Sequence, residues 1–269
     1  MELITTHTHT SFCGHAEGTV EEMVAAAERA GIATIAVTEH YPLSQRHDPR
    51  AYLSMPADAV EGYLAAIEAA RAAHPAVEVI AGTELDWLGD FEDRDLSAED
   101  FAPFSAVLGS VHFVDAWPFD DPAQRGRWDE VGADAIWTRY FELWCDAVAS
   151  KAPFTIMAHP DLAKKFAIYP SFDLGPLYRR AAEAAAAHGR MVEVNTSGAH
   201  YACAEMFPAP ALLREFCRAG VPCTVGTDAH VPANVARGIE QAYRLMYEAG
   251  YRTVTVPTAD GDRREITIE

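Results

Sequence analysis

Cysteine is sparse and unpatterned in this chain, basic residues are outnumbered, and long apolar runs are missing. The five cysteines (Cys13, Cys145, Cys203, Cys217, Cys223) are odd in number and show no CxxC spacing. That excludes a disulfide framework and fits reduced thiols in a cytoplasmic protein. No run of about 18 apolar residues occurs, so a membrane span is not expected. The opening MELITTHTHT lacks a basic stretch leading into an apolar one, so no secretory signal is expected either. Lys plus Arg number 21 against 40 Asp plus Glu, a formal net charge of -19. A surface this acidic repels nucleic-acid backbones and anionic lipid, which argues against both as partners. It repels phosphorylated small molecules too, so a site acting on phosphate would need a local cationic centre, which metal ions would supply.

Apolar residues make up 49% of the 269 positions, enough for a large core. The length suits one α/β barrel, which commonly runs to about 250 residues. Short apolar runs predict strands at 3–7, 32–38, 77–84, 106–112, 154–159, 191–195, 221–226 and 253–256. Between them, three- and four-residue apolar steps predict helices. The first carries the stripe Val20, Met23, Val24, Ala27, Ala30; others run approximately over 56–74, 131–150, 173–188, 208–219 and 232–249. Gly31, Gly189, Gly220 and Gly250 stand where left-handed helix caps belong, just ahead of the next strand. Asp260-Gly261 predicts a turn into a short last strand. No Ser/Gly-rich linker divides the chain, although 181–187 is alanine-rich. Seven or eight β-loop-α units favour a single-domain closed barrel over residues 1–269, with a doubly wound open sheet as the alternative.

The chemistry gathers at one end of these strands, where barrel active sites are built. His7 and His9 end the first strand in THTHT, and residues two apart on an extended chain point the same way. His40 follows the second strand, Glu84 closes the third, His112 the fourth and His159 the fifth. Asp228 and His230 follow the seventh in GTDAH, and His15 lies in the first loop. A lone strand-end histidine is more often a hydrogen-bonded structural residue than a ligand. Here, however, six strands end in His or a carboxylate at the same end, whereas chance would scatter them. His47, His74 and His188 read as that scattered, structural population, and Cys13 as a small apolar residue near the site. Imidazole with carboxylate suits divalent Zn, Mn or Fe. Nine ligands exceed what one ion can use, so at least two metals are expected, with Glu84 as a natural bridge.

The ordered set HTHTSFCGHAEGT, TEH, GTELDW, GSVHFVDAWPFD, AHPDLAKKF, EVNTSG and GTDAH resembles the PHP (polymerase and histidinol phosphatase) superfamily from Leu3 to about Gly250. Within it, GSVHF, WPFD and DLAKKF are similar to the monofunctional histidinol-phosphate phosphatases. The resemblance implies a distorted (β/α)7 TIM-like barrel with a trinuclear centre, so two or three divalent ions are expected. It assigns His7, His9, Glu84 and Asp228 to one metal, Glu84, His112 and His159 to a second, and His15, His40 and His230 to a third. Glu39, where several relatives carry Asp, is not counted as a ligand. The implied activity is hydrolysis of L-histidinol phosphate to L-histidinol and phosphate in histidine biosynthesis. A metal-bridging hydroxide would attack phosphorus, positioned by Asp228 and Glu84 as the catalytic carboxylates.

The family pattern continues NTSG with Leu-Arg, but this chain reads Ala199-His200-Tyr201. Substrate contacts are therefore expected from Lys164, Lys165 and His200. Glu17, Asp115, Asp120 and Glu205 are loop carboxylates that could face the substrate's ammonium and imidazole. The general acid is not assignable, nor is the oligomeric state. The altered segment also admits a phosphoesterase for nucleotides or another small ester. A protein-tyrosine phosphatase of the same superfamily and a non-catalytic metal-binding protein are further alternatives, the last disfavoured because no ligand is lost.

Overall fold

Strands that are apolar on both faces must be covered on both, and a ring of parallel strands wrapped by helices does this. The computed structural model describes residues 1–89 and 96–269. The first half of the chain runs β1 (Leu3–Thr5), α1 (Val20–Arg29), β2 (Ile32–His40), α2 (Val60–Ala73), β3 (Glu78–Asp86), α3 (Ala98–Phe101) and β4 (Ala106–Ser110). A small hairpin, β5 (Phe113–Val114) and β6 (Trp117–Pro118), leads to α4 (Arg127–Val131), α5 (Ala133–Ala149) and β7 (Ile156–Met157). The remainder is α6 (Gly175–Ala187), β8 (Met191–Asn195), α7 (Pro210–Arg218), β9 (Cys223–Gly226), α8 (Ile239–Ala249), β10 (Thr253–Pro257) and β11 (Arg263–Thr267). Among the described residues no helix is long and apolar enough to cross a membrane.

Seven strands pair in the order β1-β2-β3-β4-β7-β8-β9, and every pairing is parallel. The ring closes beyond the ends of β1 and β9. There Thr6 N donates to Val225 O (2.9 Å), Asp228 N to His7 O (2.8 Å) and His9 N to Ala229 O (2.9 Å). This is the distorted seven-stranded TIM-like barrel, not the open sheet. The eighth expected strand is not part of it. Strand β10 pairs antiparallel with β11 instead. That hairpin sits at the end where the strands begin: the Arg264 guanidinium bonds Thr34 Oγ1 (2.7 Å) and Glu2, and Ala259 N donates to Glu78 (3.2 Å). The barrel therefore has a floor, and its open mouth is at the other end.

Alternation along each strand sorts the side chains. Ile35, Val37, Val79 and Ala81 join the large core shared with the helices, whereas Ala36, Ile80, Ala106, Leu108, Ile156, Ala158 and Met191 form a separate cluster. This second set is the barrel interior. Helix α1 buries Val20, Met23, Val24, Ala26 and Ala27, so its stripe ends on Ala27 rather than Ala30, the exposed C-cap. The glycines expected as helix caps, Gly31, Gly189, Gly220 and Gly250, all have positive φ. The helix expected from residue 232 is instead a short 3-10 turn followed by α8 from Ile239. Gly238 interrupts it at φ +84°, and a Cβ there would meet Thr196 Cβ at 2.9 Å. The chain must turn left-handed at that point to pass the loop after β8.

Candidate metal centre and active site

The apolar alternation that fills the barrel interior changes chemistry toward the mouth. On β2 the inward series is Ala36, Thr38, His40; on β3 it is Ile80, Gly82, Glu84; past β4 it is Leu108, Ser110, His112. Strand β8 contributes Met191, Glu193 and Asn195. The nine side chains expected to ligate meet here around one mouth. His159 and Asp228 sit at φ +28° and +51°, sparsely populated backbone for such residues. Strain of this kind, about 1–3 kcal/mol per residue, persists where surrounding structure over-determines a functional group.

Donor atoms converge at the spacing a metal requires. A tetrahedral site with bonds of about 2.0–2.1 Å has ligand–ligand edges of roughly 3.3 Å. His7 Nε2 and His9 Nε2 are 2.9 Å apart and lie 3.2 and 3.3 Å from Glu84 Oε2. Asp228 Oδ1 is 3.6 and 3.3 Å from the same two nitrogens. On the other side, His159 Nε2 is 3.0 Å and His112 Nε2 3.6 Å from Glu84 Oε1, with 3.2 Å between the rings' nitrogens. Each oxygen of Glu84 thus serves a different set. The His15, His40 and His230 set is looser, with His15 5.1 and 5.0 Å from the other two ring centres. His40 also turns Nδ1 toward Glu84 Oε2 at 3.2 Å, joining the third set to the first two. The donors that crowd close enough to share an ion include His7, His9 and Glu84; His40, Glu84 and His112; and His9, His40 and His230, a mixture of imidazole and carboxylate suited to divalent metals.

The rings are aimed by their far nitrogens. Nδ1 donates to Glu193 in His7 (3.0 Å), Asp86 in His112 (2.8 Å), Tyr52 O in His15 (3.0 Å) and Asp228 O in His230 (3.0 Å), while in His9 it faces Glu39 at 3.4 Å. An oxygen on Nδ1 fixes the tautomer and leaves Nε2 as the ligating atom. Buried imidazole resists charge, yet Glu193, Asp228 and Glu84 outweigh burial and raise His7 to about 10. His9 is likewise raised against its burial, by Asp228, Glu39 and Glu84. Burial opposes ionisation of Glu84 and Asp228 as well, but the surrounding imidazoles hold both well below the usual carboxylate range. Burial, assisted by the charge on His9, takes His230 down to about 4. The centre demands positive charge, and a divalent ion meets the demand that protons otherwise meet. Burial pushes the Cys13 thiol up to about 12, so it packs as a small apolar group beside His9 and Glu39.

A cavity of about 260 Å³ opens onto this centre, lined by His15, His40, Glu84, His112, His159, Asp228 and His230. Its outer wall includes Asp120, Lys165 and Tyr201. Of the residues expected to contact substrate, only Lys165 and Asp120 reach the lining. Lys164 is buried and committed elsewhere, to Glu205 (2.7 Å), Met206 O (2.7 Å) and Asp161 (3.2 Å). His200 is exposed outside the cavity, and Tyr201 takes the wall position instead. Glu17 is exposed, and its backbone N–H donates to His230 O at 2.8 Å. Asp115 pairs with Arg139 at 2.9 Å, outside the lining.

Sequence reasoning missed the supports behind the donor set. Glu193 accepts from His7 Nδ1 and from His159 N, both at 3.0 Å. Gly226 is the reason it fits, since a Cβ there would lie 2.1 Å from Glu193 Oε2. Glu39 binds Thr10 N and Oγ1 (2.9 and 2.7 Å) as well as facing His9. Asp86 orients His112, Ser110 bonds Glu84, and Ser197 Oγ donates to Asp228 Oδ2 at 3.1 Å. A usable signal existed for two of them. Glu193 is a charge inside the apolar strand MVEVN, and Asp86 stands two residues beyond Glu84 on the same face.

Comparison with known proteins agrees with this architecture. The PHP domain model matches residues 5–197. A protein of Deinococcus radiodurans named Probable histidinol-phosphatase is 32% identical over 255 residues, covering 94% of this chain and 96% of the relative. A protein of Schizosaccharomyces pombe with the same name is 25% identical, covering 92% and 87%. Among solved structures, histidinol phosphate phosphatase of Lactococcus lactis, complexed with zinc, L-histidinol and phosphate, superposes with a TM-score of 0.78 at 21% identity, covering 96% and 97%. The mouth of the barrel, its ordered histidines and these matches together make this chain a member of the PHP domain family.

Proposed function

We propose that this chain is a metal-dependent phosphomonoesterase that hydrolyses L-histidinol phosphate to L-histidinol and phosphate, a step of histidine biosynthesis. The observation that carries the reading is Glu84: its two carboxylate oxygens each face a separate group of imidazole nitrogens at 3.0 to 3.6 Å. A buried carboxylate that presents its two oxygens to separate groups of imidazoles can bridge two cations. His7, His9, Glu84 and Asp228 would hold one ion, Glu84, His112 and His159 a second, and His15, His40 and His230 a third, of the Zn, Mn or Fe type. When bound, such ions lower the pKa of water toward neutrality and neutralise phosphate charge. Ser197 and Asn195 hold Asp228 Oδ2 (3.1 and 3.4 Å), which leaves Oδ1 facing into the centre. Asp228 and Glu84 orient the attacking water, and Lys165 adds positive charge from the outer wall. The names of the relatives support the substrate, the small cavity supports a monoester, and free cysteines support a cytosolic setting.

Purified protein supplied with Mn or Zn should release phosphate from L-histidinol phosphate. His9→Ala or Asp228→Asn should cut that rate by orders of magnitude, and full activity in either would overturn the mechanism. The second reading, a phosphatase for a different small ester, rests on His200 lying outside the cavity where the family pattern has arginine. A panel of phosphate esters assayed in parallel separates the two, the preferred ester being the one with the highest kcat/KM.

A further inference from the structure

The outer wall of the cavity carries a side-by-side pair of opposite charges. Lys165 Nζ lies 2.8 Å from Asp120 Oδ2, the two side chains being 13% and 18% exposed. Both line the cavity with His112, His159 and Glu84. The ring of Tyr201 covers the same ammonium at 4.8 Å. Among the described residues Lys165 is the hydrogen-bond donor to Asp120, and its ammonium holds the Asp120 charge more strongly than the imidazoles of His112 and His159 nearby. The neighbouring Lys164 differs, because three oxygens of the protein hold its ammonium.

We propose that Lys165 and Asp120 act together as a charge-exchange receptor, selecting phosphate monoesters that carry an amine on the carbon beside the ester carbon. The proposal rests on the phosphomonoesterase reading above and deepens it by assigning the substrate class to two residues. A phosphate entering the cavity competes with Asp120 for Lys165. A neutral ester that wins this competition strands a largely buried carboxylate, which is costly. An amino ester brings its own ammonium, separated from the phosphate oxygen by two carbons, and so replaces one ion pair with two. Selectivity follows from the penalty against the neutral ester as much as from the contact with the cationic one. Tyr201 seats the Lys165 head group on its ring face and keeps it at the wall.

The test compares two esters on one preparation, so that the ratio is independent of how much enzyme is active. Manganese-loaded enzyme is assayed on L-histidinol phosphate and on imidazolylpropyl phosphate, which lacks only the amine. The wild type should favour the amino ester, and Asp120→Asn should shrink the ratio of kcat/KM by at least about tenfold. Part of that shrinkage should come from a faster reaction of the neutral ester, because Lys165 is released. Lys165→Met should lower kcat/KM on both esters. Asp120→Ser is made alongside, so that failure of one variant to fold does not leave the ratio unread. A ratio that survives in the Asp120 variants overturns the proposal while leaving the phosphatase reading intact. Absence of phosphate release from both esters by the wild type sinks the histidinol-phosphate reading and this proposal with it.

Discussion

The two walls of the cavity are built by different rules. The inner wall is made of strand ends: His40, Glu84 and His112 continue the inward alternation of β2 to β4, with His7 buried behind them; Glu193 aims His7 and Asp86 aims His112. The outer wall is made of loops: Asp120 follows the β5–β6 hairpin, Lys165 follows the turn after β7, and Tyr201 follows β8. A strand end inherits its direction from the sheet, so the sheet's register decides what points inward. A loop residue has no such inheritance, and small local choices decide whether it lines the cavity or leaves it. The wall bearing the donor atoms should therefore tolerate changes in nothing that aims it, whereas the loop wall should tune substrate choice.

Lys164 and Lys165 give the largest expected contrast. Lys164→Met leaves Asp161, which is fully buried, without its cation. Breaking such a pair costs about 3–5 kcal/mol, and the lower end is expected because Asp161 keeps the Ala209 amide at 2.7 Å. Denaturant unfolding should register the larger loss in Lys164→Met; Lys165→Met, whose partner Asp120 is 18% exposed and opens onto the cavity, should lose less and should in addition raise KM. Equal effects of the two substitutions on stability would erase the distinction drawn between them.

Next in size is Glu193→Gln. The carboxylate holds His7 Nδ1 and the His159 amide, so the isosteric amide removes the charge that fixes the His7 tautomer. Loss of such a support typically costs about 10–100-fold in metal affinity. Competition with a chelator measures it without recourse to turnover, and unchanged affinity would show that the strand alone aims His7.

The legible part of the molecule follows the same division. Six strand ends bearing His or carboxylate could be read because barrel geometry sends that end of every strand to one place. What each support meets was hidden for a physical reason: Glu193 stands out as a charge in MVEVN, but that it reaches His7 depends on the pairing of β8 with β9 and on the bonds that join β9 to β1, which are tertiary facts. Lys164 and Lys165 were both expected at the substrate and His200 stood where the family pattern has arginine, but Lys165 rather than Lys164, and Tyr201 rather than His200, line the cavity. One residue of rotation in a 3-10 turn is enough to exchange them. The eighth strand misled for a related reason. Thr253–Pro257 has the apolar pattern of a barrel strand, but its partner is the antiparallel β11 rather than β9. Pattern reports burial, not pairing.

A pH titration sharpens the reading of the inner wall. Burial opposes charge on His112, but Asp86 and Glu84 prevail and raise it to about 9, while His7 reaches about 10. In metal-free protein a raised folded value means that folding retains a proton the unfolded chain releases above about 6.5. That stabilisation is complete below about 6.5 and is lost as the pH rises through about 9 and 10. His230, depressed to about 4, adds a penalty that grows as the pH falls below about 6.5. Metal-free protein should thus lose melting temperature on the alkaline side, and bound metal should abolish that loss, since the ion displaces the protons. Calorimetry at pH about 8, in buffers of differing ionisation enthalpy, should show proton release on metal binding. No release there would mean that His7 and His112 are already neutral.

The smallest expected effect asks whether the helices outside the barrel matter to the centre at all. Thr19 opens α1 as a capping box: its hydroxyl accepts Glu22 N at 3.1 Å, and Glu22 Oε2 accepts Thr19 N at 2.8 Å. Thr19→Ala should cost about 1 kcal/mol, seen as a melting temperature lower by about 2–4 °C. The loop just before it, which carries His9 and His15, is tied independently by Ser11 N to Gly18 O and Glu17 N to His230 O, both at 2.8 Å. Metal affinity in this variant should therefore equal that of the wild type. If affinity falls along with stability, then the cap reaches the donor atoms through that loop, and the inner wall is held by its helices as much as by its strands.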